Sequence, residues 1–189
     1  MPREEIAVLA LDPGMTTGVA WFRSDMKVLR DVGPVSRVKS LLLSQVGGHG
    51  EPTGGCGQVT GSEMEQVDRL MRFAYNQLFP GVVRAVIVSE HDPQTFHAKS
   101  TKHTFIPHRI NAMVEYVHFV AAKYVASIGG VEGRKDVGVR LVRQSPASGK
   151  GVVTDARLRN WGLWQVGQPH ANDALRHLIV FLRKEIGNG

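Results

Sequence analysis

The residues most able to do chemistry are Asp12, Glu90, His170 and Asp173, and each belongs to an informative local pattern. Asp12 closes the apolar run Ile6–Leu11, and the chain then turns through Pro13 and Gly14 towards Thr16, Thr17 and Gly18. Glu90 closes a second apolar run, Val82–Ser89. His170 and Asp173 open an apolar-periodic segment near the other end and fall one helical turn apart. Cutting a phosphodiester requires charge neutralised on the phosphate, an activated water and a stabilised leaving oxygen. Two Mg²⁺ or Mn²⁺ ions about 4 Å apart meet all three needs, and such hard ions prefer carboxylate oxygens. Asp12, Glu90 and Asp173, with His170 as a fourth member, would supply that donor set. Each also has a plainer reading: a turn residue at Asp12, a solvated strand end at Glu90, a helix-dipole partner at Asp173. Asp92, two residues beyond Glu90, would face the same side of a continuing strand and competes with it as a ligand.

Continuous apolar runs predict strands buried on both faces at 6–12 and 82–89. Further strands are expected at 17–22, 28–32 and 137–142. Close spacing makes the first three most easily paired antiparallel. The glycine-dense stretch Gly47–Gly61 reads as a flexible loop, or in a sharper reading as a loop that contacts substrate. Ser62, with Glu65 three residues on, predicts a capping box and a helix whose inward stripe is Met64, Val67, Leu70, Met71, Ala74 and Leu78. A long helix follows Pro107, with Ile110, Met113, Val114, Val117, Ala121 and Tyr124 as its stripe. A basic loop is expected from Arg143 to Lys150, and a last helix over about 170–185 with Leu175, Leu178, Ile179, Leu182 and Ile186 inward. Early hairpin-linked strands followed by alternating helices and strands predict a ribonuclease H-like α/β fold, a mixed five-stranded sheet with helices on both faces. Ligands in open α/β sheets collect beyond strand ends, where Asp12 and Glu90 lie.

The 189 residues suit one domain spanning the chain. No apolar stretch reaches the roughly 18 residues of a membrane span. The start Met1-Pro-Arg-Glu-Glu5 lacks a signal-peptide layout, so a cytoplasmic location in a bacterial-type cell or its virus is expected. A single cysteine, Cys56, excludes an intrachain disulfide and a thiolate zinc cluster. The net charge of +6 favours a polyanionic partner. His91, His97, His103, His108 and His118 show no zinc-site spacing. Lys99, Lys102 and Arg109 are candidate phosphate contacts, and Arg134, Lys135, Arg140, Arg143, Arg157 and Arg159 could extend that basic surface. Trp161 and Trp164 could stack on bases, although packing under the last helix is the expected role.

Four segments together resemble the RuvC-type Holliday-junction resolvases over nearly the whole chain. Leu11-Asp12-Pro13-Gly14 with Gly18 is similar to the family's first motif, and Val86-Ile-Val-Ser-Glu90 to its second. His170-Ala-Asn-Asp173-Ala-Leu resembles the final motif. Ser145-Pro146 to Lys150 has the proline-to-lysine spacing of its basic loop. The resemblance implies a homodimeric, Mg²⁺- or Mn²⁺-dependent endonuclease that nicks branched DNA symmetrically, and the compact form of the chain suggests a phage-type member. Asp12, Glu90 and Asp173 would then be ligands of two ions per site, and His170 would ligate or assist the ion preparing the water. Lys150 would contact the scissile phosphate; Lys99, Lys102, Arg109 and Arg143, from their charge and position, are the expected further contacts to nucleic acid. Asp155-Ala-Arg157-Leu-Arg159 stands where a glycine-rich stretch often follows the lysine, and 92–103 lacks a match to the family's junction wedge. Other expectations stay open: a ribonuclease H- or flap-type specificity, a non-catalytic junction-binding protein, and a nucleotide clamp like that of actin- and hexokinase-like kinases. The clamp needs two such domains and has no place for the His170/Asp173 helix.

Overall fold

The computed structural model describes residues 4–44, 53–91, 105–127 and 138–187. Five strands, β1 (Glu5–Asp12), β2 (Thr17–Asp25), β3 (Gly54–Val59), β4 (Arg84–Glu90) and β5 (Arg140–Gln144), form one sheet in the order β3-β2-β1-β4-β5. β1 pairs antiparallel with β2, and β2 with β3, whereas β4 lies parallel to both β1 and β5. This mixed sheet with helices on both faces is the ribonuclease H-like topology expected above. Among the described residues no helix is long and apolar enough to cross a membrane.

Alternation along β1 divides the core. Ile6, Val8 and Ala10 face one layer, built from α1 (Met26–Val32), α2 (Pro34–Ser44) and α7 (Pro169–Gly187) together with Val153, Leu158 and Leu163. Ala7, Leu9 and Leu11 face the other, built from α3 (Glu63–Phe73), its π-helical continuation Ala74–Leu78, and α4 (Phe105–Ser127). A strand buried on both faces gains little from alternation and reads as the continuous run seen in the sequence.

The third strand corrects the sequence-based expectation. Residues 28–32 belong to α1, because the Asp25 side chain accepts from the backbone N–H groups of Lys27 and Val28 and so caps a helix there. Gly33, at φ 77°, ends it. The third strand instead lies at 54–59, inside the stretch expected to be a flexible loop. Its glycines are a packing requirement: a Cβ on Gly55 would sit 2.2 Å from the Trp21 ring, and one on Gly54 2.8 Å from Leu41 Cβ. Residues 47–52 of that stretch lie outside the described residues.

The Ser62/Glu65 capping box forms as expected, with Ser62 N donating to Glu65 Oε2 at 2.8 Å. Met64, expected inward, is 65% exposed. The buried Gln66 faces the sheet near the start of α3 instead, donating to Met15 O and Gly61 O and accepting from Thr17 N. In α4, Ile110 and Val114 are buried and Met113 and Val117 partly so, while the Tyr124 side chain lies outside the described residues. The fifth strand is shifted to 140–144, and the expected basic loop from Arg143 to Lys150 is largely helical. It forms α5 (Pro146–Val152), with Pro146 in its first turn, and Thr154 then caps α6 (Asp155–Asn160).

Candidate active site at one end of the sheet

Strand register builds the site. Gln58 on β3 pairs with Gly18 on β2, and Gly18 with Asp12 on β1. Leu11 pairs with Ser89, so Asp12 and Glu90 are each one residue past the last paired couple on neighbouring parallel strands, and Glu90 pairs with Gln144 on β5. Neighbouring strands run about 4.8 Å apart. One transverse row of the sheet is therefore Gln58, Gly18, Asp12, Glu90 and Gln144. Parity puts the row on the α7 face, since Ile6, Val8 and Ala10 of β1 and Val86 and Val88 of β4 face that layer.

Helix α7 lies across the row and meets it residue by residue. The backbone N–H of His170 donates to Gln58 Oε1 at 3.2 Å. The carbonyl of His170 lies so close to Gly18 that a Cβ there would be 1.9 Å from its oxygen. His170 Nδ1 lies 2.8 Å from Asp12 Oδ2. Two turns on, His177 Nε2 lies 2.6 Å from Glu90 Oε2, and its Nδ1 2.9 Å from Gln144 Oε1. The approach to α7 is pinned by the buried Asn172, whose amide donates to Gln165 O and Gln168 O while its oxygen accepts from Gln165 N.

Asp173, on the same helix, is held by cations. Lys150 Nζ lies 3.2 Å from its Oδ2, and the Arg176 guanidinium pairs with its Oδ1. Arg176 is buried, donates from Nε to Val153 O at 2.9 Å, and also pairs with Asp155. Behind the sheet, Asn111 of α4 donates to Glu90 O at 2.9 Å.

Burial is the largest influence on Asp12 and raises its carboxyl above the usual aspartate range; hydrogen bonding to His170 opposes this, and the nearby Glu90 charge adds to it. Among the described residues no three His, Cys, Asp or Glu side chains are gathered into one coordination group. Each carboxylate has its own partner: His170 for Asp12, His177 for Glu90, and Lys150 with Arg176 for Asp173. The donor chemistry nonetheless fits a hard divalent cation. It comprises three carboxylates and an imidazole, and a cation would relieve the burial and like-charge cost borne by Asp12.

Asp12 and Glu90 at one end of the sheet are thus met by His170 and Asp173 from α7, with Lys150 of α5 beside Asp173. Arg109 and Arg143 do not join them; they pair with Glu63 and Glu115 respectively. Lys99, Lys102, Arg134, Lys135, His97, His103 and Asp92, the alternative to Glu90, lie outside the described residues. The His91 and His108 rings meet edge to face, and His118 Nδ1 lies 3.4 Å from the Tyr75 hydroxyl. Trp161 and Trp164 are partly buried against the α7 layer, with Arg183 and Arg159 over their rings. Sequence reasoning missed Gln58, Gln144, Arg176 and His177. The seven-residue spacing of His170 and His177, two turns on one helix face, was the available signal for the last.

No protein-family model and no curated protein sequence matches the chain. Among solved structures it is similar to T. thermophilus RuvC in complex with Holliday junction substrate, at 13% identity and a TM-score of 0.49, covering 96% of each chain. It is also similar to the yeast mitochondrial Holliday junction resolvase Ydc2, at 13% identity and a TM-score of 0.42, covering 96% of this chain and 80% of that one.

Proposed function

We propose that the chain is a RuvC-type endodeoxyribonuclease that hydrolyses phosphodiesters in Holliday junctions or other branched DNA. The observation that carries this reading is the adjacency of Asp12 and Glu90 on neighbouring parallel strands, beneath the α7 face that bears His170 and Asp173. Asp12, Glu90, Asp173 and His170 would hold Mg²⁺ or Mn²⁺. When bound, such ions neutralise phosphate charge and lower the proton affinity of an attacking water.

The chain's own residues have separable tasks. His170, hydrogen-bonded to Asp12 and 43% exposed at its side chain, can accept a proton from water entering from solvent. Lys150 places an ammonium beside Asp173, where a scissile phosphate could replace the carboxylate as its partner; a compact point charge suits that exchange. Arg176, buried behind Asp173, holds that carboxylate in place. The net charge of +6 favours approach of a polyanion. Each chain carries one such site, so symmetric paired nicks would require a homodimer.

The test incubates the protein with labelled four-way junction, flap, linear duplex and RNA–DNA hybrid in Mg²⁺ or Mn²⁺, and maps the nicks. Paired nicks near the junction centre are expected. Preferential cutting of the flap or the hybrid would move the protein to another specificity. Metal-independent junction binding with no cleavage of any substrate would end the nuclease reading.

A further inference from the structure

Glu90 is supported by a side chain outside the donor set of Asp12, Glu90, Asp173 and His170. His177 is 1% exposed. It straddles two residues that are themselves in register on β4 and β5, with Nε2 2.6 Å from Glu90 Oε2 and Nδ1 2.9 Å from Gln144 Oε1. The ring has no slack: α5 packs Gly149 against it, and a Cβ there would lie 3.1 Å from His177 Cε1.

Hydrogen-bond chemistry sets the direction of this chain. An ionised Glu90 only accepts, so His177 must present Nε2–H to it. A neutral ring then has Nδ1 as an acceptor, which the Gln144 amide satisfies by turning its N–H₂ inward; amide oxygen and nitrogen are interchangeable by such a flip. With the ring neutral and the amide so turned, the order is Gln144 to His177 to Glu90, each donating to the next. Glu90 Oε2 is thereby occupied, while Oε1 has no hydrogen-bond partner among the described residues.

We infer that His177 is a positioning residue, fixed by Gln144, that holds Glu90 with one carboxylate oxygen engaged and the other free for a divalent cation. This rests on the reading of Glu90 as a metal ligand. Partners of this kind that orient a ligand are worth about 10- to 100-fold in metal affinity.

The experiment measures Mn²⁺ binding to the full chain by titration calorimetry and electron paramagnetic resonance, without DNA, for wild type, His177→Gln, His177→Asn and Gln144→Leu. A glutamine amide can place a donor near the lost Nε2–H, whereas an asparagine amide reaches only the Nδ1 side. His177→Gln should therefore stay within about 3-fold of wild type, while His177→Asn and Gln144→Leu lose about 10- to 100-fold. Thermal melting run alongside identifies any variant that fails to fold, and the remaining two then decide. Asparagine binding as tightly as glutamine would overturn the positioning role. So would a gain in Mn²⁺ affinity in any variant, which would make His177 a competitor for Glu90. Absence of Mn²⁺ binding by wild type would overturn the metal reading and this inference together, whereas normal wild-type binding with unaffected variants removes only the inference.

Discussion

Replacing Gly18 with alanine tests whether the seating of α7 on the sheet makes the site. Gly18 pairs with Asp12, and its missing side chain is the space into which the His170 backbone fits. A Cβ at that position would lie 1.9 Å from His170 O and 2.2 Å from His170 C. Ordinary carbon–oxygen approach is about 3.3 Å or more, so the start of α7 must retreat by roughly 1.4 Å. The residue displaced is the one whose Nδ1 lies 2.8 Å from Asp12 Oδ2. Misplacement of about 1 Å can cost 10²-fold in rate, so junction nicking should fall by about 100-fold or more. Overpacking of this kind costs about 1–3 kcal/mol, which for a chain of this length lowers Tm by about 2–4 °C per kcal/mol. The assay is single-turnover cleavage of a labelled junction in Mg²⁺, with thermal melting of the same preparation. Wild-type cleavage by a stably folded Gly18→Ala protein would refute the reasoning that α7 must touch the sheet at this point.

Asp12→Asn should abolish cleavage and leave junction binding intact or tighter, since a negative charge is removed from a phosphate site; gel-shift and nicking assays on one preparation separate the two. Burial raises the Asp12 carboxyl, so the folded state holds this proton at pH values where the unfolded chain has lost it. The associated stability is present at low pH and lost as pH rises from the ordinary aspartate range through the raised value. Urea unfolding across that window should show Asp12→Asn gaining on wild type as pH increases, and parallel curves would count against a buried, destabilised carboxylate. Lys150→Ala should lower the single-turnover rate more than junction affinity, and equal losses would argue against a contact formed at the scissile phosphate. Arg176→Met removes a buried guanidinium that holds Asp173, Asp155 and Val153 O. A loss of about 3 kcal/mol is expected from breaking such a pair, read by denaturant unfolding, and a change under about 0.5 kcal/mol, the usual scale of surface substitutions, would make Arg176 a solvated charge.

Local patterns reached the strands at 6–12 and 82–89, the capping box at Ser62 and the last helix, because each is encoded by neighbours within a few residues. They missed β3, whose glycines look like a loop until the Trp21 ring and Leu41 are seen filling the space above them. They also misassigned 28–32 as a strand, where the Asp25 cap fixed a helix.

What the chain's order of residues determined by itself was which groups are candidates for chemistry: carboxylates ending apolar strands, and a histidine and an aspartate one turn apart on an amphipathic helix. Only the tertiary structure decided how those groups are held. Register across five strands placed Gln58, Gly18, Asp12, Glu90 and Gln144 in one row, and the approach of α7 set His170 on Asp12 and His177 on Glu90. Those partners are separated by 158 and 87 positions along the chain. Pairings at that distance arise from strand register and helix packing, which no local pattern of residues contains.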